Sequence, residues 1–561
     1  MVDVATGELR PADIGMVGPL IASVHPPATR NDAAEHLQAT GRFIVPGLID
    51  THVHIESSMV SPRRYAETVV PQGTTTICWD PHELANVLGL DGVRWAIEAA
   101  RGLPLRILVL APSCVPSAPG LERAGAVFEA AEMAEMLSWP EIAGVAEVMD
   151  MRGVLERQPH MVDIVAAGMS SSKLVCGHAR GLAGADLQAF AAGGIQSDHE
   201  ITSGDDLLAK LRAGFTVELR GSHDYMLPDA VAALRGLGAL PSTLTICTDD
   251  VFPDDLVEAG GMIDVLRRLV QRGLPAIDAL RAATLNAAIR IGRRDLGLIA
   301  PGRRADLVVL SDLTRMFVEE VVVSGVIAAR SGRLTAESHL ETPPLPPPTM
   351  RLPPMTAEDF RLRAPVDGSV RIRTVVTPRF TTWGELTVPV EHGECLLPDG
   401  VLLMAVIHRH GRAPATPVIG VLENWGSWTG ALATTVAHDS HNLVVFGREP
   451  ADMAEAANAL ITAGGGMAVA SDGQLRALLP LPICGLISDA PTRDVADAFR
   501  ILRHAADQVA EWKPPLRTFK SIVGASLACN PGPHVTDMGI ADGTTGEVFS
   551  TVITEATSSS V

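Results

Sequence analysis

The chain has 561 residues, 47% of them hydrophobic and 20% charged, and its 65 acidic against 45 basic side chains leave a formal net charge of -20. Such a length exceeds a single growing hydrophobic core and predicts two or three domains. The acidic balance excludes a surface built to hold phosphate backbones, so no nucleic-acid partner is expected and a small neutral or cationic ligand suits the chain better. The amino-terminal residues carry no basic stretch followed by an apolar run, and no segment reaches the roughly 18 apolar residues of a membrane span, which predicts a cytoplasmic protein with no membrane contact. The seven cysteines form no CxxC pair and are odd in number, which argues against a zinc ribbon or a disulfide framework and for a reducing compartment.

In chain order, residues 1–46 contain short apolar runs broken by Gly and Pro and read as small strands. From 47 to 300, short β-rich runs alternate with longer helical patterns, as parallel βα units do. Eight candidate strands stand out: LIDTHVH, TTTICWD, LRILVLA, AGVAEV, KLVCGH, GIQSDH, FTVELR and TLTICTD. Eight units in that length predict a (β/α)8 barrel of the TIM type. A second strand-rich stretch starts at Ala305, and the segments 1–46 and 301–345 are expected to pair into one small β-sandwich domain. The Pro-rich run from Glu341 to Pro354 reads as a linker. Residues 346–561, of mixed α and β pattern, read as a C-terminal α+β domain.

Barrel active sites are built at the carboxyl ends of the strands, and polar residues gather there. His52 and His54 stand two apart on one candidate strand, so both imidazoles face the same way and can share a metal. Taken alone, an HxH pair is a weak signal and is more often a strand end with two solvated histidines. Here it is joined by His178, His199 and Asp249 at the ends of the fifth, sixth and eighth candidate strands. Imidazoles with carboxylates and no thiolate suit zinc, iron or manganese and argue against copper(I) or an iron–sulfur cluster.

The runs IVPGLIDTHVHIESS, PQGTTTICWDPHELANV, PSCVPSAP, AEVMD, VCGHARGL, SDHE, CTDD and, far downstream, AHDSHNLVVFG resemble the bacterial adenine deaminase family of the amidohydrolase superfamily over nearly the whole chain. The resemblance implies a sandwich-flanked barrel, a site for two divalent metals, with manganese or iron preferred to zinc, and adenine as the small-molecule substrate, hydrolysed to hypoxanthine and ammonia in purine salvage. A homodimer is expected.

Many members of that superfamily bridge their two metals through a carbamylated lysine on the fourth strand. No lysine precedes Lys173 here, and Lys173 lies five residues before His178, pointing to the opposite face of its strand. Glu147, at the end of the fourth candidate strand, supplies a carboxylate in that place and is assigned as the bridging ligand. The ligand set is then His52, His54, Glu147, His178, His199 and Asp249. A metal pair generates hydroxide near neutral pH; Asp249 is assigned to take its proton and return it to the departing amine, while N1 of the ring needs a proton from a nearby carboxyl group, for which Glu83 and Glu200 are the candidates. Either could instead orient a histidine. Asp80 and His82 are assigned to substrate contact, with an additional metal or a plain strand-to-loop turn as the other readings. His438, Asp439 and His441 have metal-like spacing, although a loop that only packs over the barrel mouth explains them more simply. The rivals are another amidohydrolase, such as an N-acetylglucosamine-6-phosphate deacetylase, whose phosphosugar calls for a basic cluster where only Arg180 and Arg220 stand, or a catalytically inactive scaffold, which has no need of six polar ligands on one rim.

Overall fold

The structure, a computed structural model, describes residues 1–335, 343–378, 380–511 and 519–554. Residues 341 and 342 of the Pro-rich segment lie outside the described residues, and 343–354 form no helix or strand.

Eight parallel strands form the centre: β1 (Leu48–Val53), β2 (Thr74–Trp79), β3 (Arg106–Ala111), β4 (Ile142–Val148), β5 (Leu174–Gly177), β6 (Ser197–Asp198), β7 (Thr216–Arg220) and β8 (Leu244–Cys247). Strands β1 to β5 make one sheet and β6 to β8 another. Two seams join them. The Gln196 amide donates to the Val175 carbonyl at 3.0 Å, and the Asp249 amide donates to the His52 carbonyl at 3.0 Å beside a parallel bridge between Val53 and Asp249. The sheets therefore close into the expected (β/α)8 barrel, and β1 and β2 are buried along their whole length, as parallel strands covered on both faces must be. The sixth strand is shorter than its apolar run suggests, because Gly194 takes a left-handed φ of 103° to leave the preceding helix, and regular pairing begins only at Ser197.

Phe43–Pro46 pairs antiparallel with Leu307–Leu310, in a five-stranded sheet whose remaining strands follow Leu310. The chain on either side of the barrel thus meets in one sheet, and the Gly47 amide donates to the Asp306 carbonyl at 2.8 Å where it enters β1. The C-terminal part is built on a ten-stranded sheet with the helix Pro450–Ala463 packed on it, Pro at its first turn and Gly464 in left-handed conformation after its end, the usual punctuation of a helix. No helix among the described residues is long and apolar enough to cross a membrane.

This part docks on the carboxyl ends of the barrel strands. The Ser61 amide donates to the Ser488 carbonyl at 2.9 Å, Arg503 pairs with Asp254 at 2.9 Å, and the Thr536 hydroxyl donates to the Leu121 carbonyl at 2.7 Å.

The rim around β6 depends on a buried ion pair. The helix Gly204–Arg212 starts at Ser203, whose hydroxyl accepts from the Asp206 amide, and carries Lys210 in its last turn, where cations are favoured. Lys210 Nζ is fully buried, 2.8 Å from Asp198 Oδ2, and donates to the Glu200 carbonyl at 2.6 Å. Asp198 Oδ1 accepts from the amides of Ala179 and Glu200 at 2.6 and 3.2 Å, so the pair fixes the chain just after His178 and on both sides of His199. Removing one partner of such a pair strands the other charge, so Lys210→Met is expected to lower unfolding stability by about 3–5 kcal/mol. Chemical denaturation checks this, and a loss below about 1 kcal/mol, the range of an exposed pair, would contradict it.

Candidate metal centre and active site

His52 and His54 leave the end of β1 on the same face, with their Nε2 atoms 3.0 Å apart. Glu147 reaches over from β4. Its Oε1 lies 3.3 Å from His54 Nε2 and 3.8 Å from His52 Nε2, while its Oε2 accepts from His178 Nδ1 at 2.7 Å and lies 3.4 Å from His199 Nε2. Asp249, just beyond β8, has a left-handed φ of 59°, which Asp tolerates better than most residues. Its Oδ1 lies 3.5 Å from His54 Nε2 and 3.8 Å from His52 Nε2. The rings of His52 and His199 stack at 4.0 Å. All six expected ligands are thus gathered in one buried cluster, with Glu147 spanning the two pairs of histidines.

The donor set fits divalent cations. The ligand atoms of His52, His54 and Asp249 lie within 4.8 Å of one another, as do those of His52, Glu147 and His199. Nε2 of His178 is enclosed and has no hydrogen-bond partner. Facing imidazole nitrogens with carboxylate oxygens and no sulfur are ligands of the zinc, manganese and iron type. Burial would push the Glu147 carboxyl up, yet His199, His178 and His54 hold it well below the usual carboxylate range. Asp249 is held down against its burial by Arg220 first and then by His199 and His54.

Around this cluster runs a chain of ion pairs. Arg220 joins Asp249 Oδ2 at 2.7 Å and Glu200 Oε1 at 2.8 Å, Arg180 takes Glu200 Oε2 at 2.8 Å, and the Ser222 hydroxyl donates to Asp249 Oδ2 at 2.7 Å. Burial would raise the Glu200 carboxyl, but Arg220, His178 and Arg180 hold it well below the usual range.

An open cavity lies over the cluster, with His82, Glu147, Glu200, Arg220 and Asp249 in its wall. Glu83 and Asp80 stand outside that wall. His82 and Glu83 are consecutive on the helix His82–Leu88, so their side chains diverge by about 100°. His82 turns to the cavity, whereas Glu83 lies behind His54, with Oε2 3.7 Å from His54 Nδ1. Asp80 sits behind His82, its Oδ2 accepting from His82 Nδ1 at 3.2 Å. Lys173 is remote, its ammonium donating to the carbonyls of Leu137 and Trp139 at 2.8 and 3.1 Å.

The C-terminal part closes the other side of the cavity through His438, Asp439, Val523, Leu527, Asn530 and His534. The loop with His438 and Asp439 does more than cover the mouth, since Asp439 Oδ1 lies 3.3 Å from His82 Nε2. Apart from His438 and Asp439, none of these residues belongs to a motif read from the sequence, because their proximity to the barrel arises only on docking.

Residues 43–331 match the amidohydrolase family and residues 378–547 match the adenine deaminase C-terminal domain. Relatives include adenine deaminase 2 of Agrobacterium fabrum, 59% identical over 99% of this chain and 93% of its own length. The chain belongs to the adenine deaminase family. Adenine deaminase 2 of Rhizobium meliloti is 58% identical over 99% of this chain and 93% of its own, and adenine deaminase of Klebsiella pneumoniae strain 342 is 56% identical over 99% and 92%.

If Glu147 spans two ions, Glu147→Ala loses at least one metal per chain, while Lys173→Ala keeps its full metal content and needs no bicarbonate. Elemental analysis decides, and full occupancy in Glu147→Ala would remove it from the ligand set.

Proposed function

We propose that the chain hydrolyses adenine to hypoxanthine and ammonia, with His52, His54, Glu147, His178, His199 and Asp249 holding two divalent ions, manganese or iron in preference to zinc. The full-length identity to adenine deaminases, which spans both parts that wall the cavity, carries this reading. When bound, the ions acidify water so that it attacks as a nucleophile near neutral pH.

The remaining chemistry is proton management by this chain's own residues. Water adds its oxygen to C6, and its two protons must end on N1 and on the departing amine. Asp249 and Glu200 are both kept ionised, by Arg220 and by Arg220 with Arg180, so each is ready to accept a proton rather than to give one first. Glu200 lies in the cavity wall and passes one proton from the nucleophile to N1. Asp249 takes the second and delivers it as the C6–N bond breaks, leaving a C6 carbonyl, an N1–H and ammonia. Glu83 stands behind His54, 3.7 Å from its Nδ1, while the Asp80 carbonyl lies 3.2 Å from that nitrogen and orients the imidazole. Among the described residues, the wall arginines Arg180 and Arg220 are already paired with these carboxylates rather than free to seat a phosphosugar.

Protein loaded with manganese or iron is expected to release ammonia from adenine and to form hypoxanthine, followed by ultraviolet absorbance. Adenine left untouched while an acetylated sugar or a cyclic amide is cleaved would refute the assignment. Asn at position 249 keeps the shape of the carboxylate but cannot take the proton, and general acid–base steps contribute about 10²–10⁴-fold. Asp249→Asn is therefore expected to slow turnover by about that factor while retaining much of the metal. Near-normal turnover with full metal would show that the proton takes another route.

A further inference from the structure

Beside the reacting centre lies a second cluster that the steps above leave unused. His82 comes from the barrel, and His438, Asp439 and His441 from the C-terminal part. Asp439 Oδ1 lies 3.3 Å from His82 Nε2 and 3.3 Å from His438 Nδ1. The ligand atoms of His82, His438 and Asp439 lie within 4.8 Å of one another, and a second triad of Glu83, His438 and His441 shares His438 with it. We propose that His82, His438 and Asp439 form a third transition-metal site, built across the boundary between barrel and C-terminal part and adjoining the pair at Glu147, whose Oε1 lies 3.7 Å from His82 Nδ1.

Three observations carry the proposal. The first is unmet bonding capacity. Asp439 Oδ2, His82 Nε2, His441 Nε2 and both carboxylate oxygens of Glu83 are enclosed without a hydrogen-bond partner, and His82, Glu83, Asp439 and His441 are buried. Buried polar groups are satisfied about nine times in ten, and so many orphaned acceptors in one place indicate a cation among them.

The second is preparation of the ligands. His82 Nδ1 faces Asp80 Oδ2 at 3.2 Å, which leaves Nε2 to point at Asp439, the carboxylate–histidine arrangement that orients metal ligands. The Asp439 loop is pinned on its own account. Ser440 donates to Glu122, the Asn442 amide donates to the Arg123 carbonyl at 2.9 Å, and Arg409 donates to the His441 carbonyl at 2.5 Å.

The third is donor chemistry. Two imidazoles and a carboxylate favour zinc, iron or manganese over calcium or magnesium, which prefer all-oxygen shells. The rival occupant is a proton, with His82 and His438 as imidazolium ions against Asp439.

The test is to strip the full-length protein of metal, saturate it separately with Mn²⁺ and Zn²⁺, remove the excess by dialysis and count ions per chain. Wild type is expected to hold three, and His438→Ala and Asp439→Asn two each, with folding checked by thermal melting. Glu147→Ala is expected to lose ions from the other pair and keep this one, which separates a failure of this proposal from a failure of the reading of the reacting centre. Should either variant of the C-terminal loop fail to fold, anomalous diffraction from Mn²⁺-soaked wild-type crystals gives the answer, through a peak between His82 and Asp439. Saturation of wild type at two ions with both metals, full retention of the third ion by folded variants, or no peak at that position would overturn the proposal.

Discussion

Glu147 is a carboxylate buried where five strands of a closed barrel come together, and the surrounding site follows from the need to satisfy it. An unpaired buried carboxylate costs several kcal/mol even after the protein relaxes. The barrel meets that cost by turning imidazoles toward it from β1, from the end of β5 and from the end of β6. Those imidazoles would repel one another if all were protonated, so their approach makes chemical sense around shared cations. The same logic spreads outward. Asp249 and Glu200 are balanced by Arg220 and Arg180, and Asp198, under the chain between His178 and His199, is balanced by Lys210. The rim is a sequence of compensated charges, each holding the next in position.

A barrel alone would leave this cluster open to water. The C-terminal part covers it with Val523 and Leu527 as well as with polar groups, and excluding water strengthens every charge interaction inside. Closure is locked by polar contacts across the boundary, including Ser440 with Glu122 and Arg123 with Asp537. Glu122 is buried in this seam, and that burial, with Asp439 nearby, pushes its carboxyl up to about 7.

The barrel could be read from the sequence because parallel strands impose a simple rule: side chains alternate, and polar residues placed at the carboxyl end of each strand converge on one rim. His52, His54, Glu147, His178, His199 and Asp249 all obey it. Residues placed by other means were not legible. Glu83 and Asp80 sit in the same motif as His82, but a helix start fans consecutive side chains apart, and nothing in DPHELAN tells which one reaches the cavity. Glu200 adjoins His199, and in sequence nothing sets it apart from Glu83; Arg180 and Arg220, which hold its two oxygens, come from other strand ends. Asn530 and His534 carry no local signal at all, since docking alone brings them to a barrel that ended more than two hundred residues earlier.

The charges that build the rim also shape what it can accept. Among the described residues of the cavity wall, the Arg and Lys side chains are Arg180 and Arg220, and both are consumed by carboxylates. At these two arginines a phosphate would compete with Glu200 or Asp249 for an ion pair at 2.7–2.8 Å. A neutral heteroaromatic ring makes no such demand. It leaves every pair intact, so the pairing that holds Glu200 and Asp249 ionised also favours an uncharged ring over an anionic competitor.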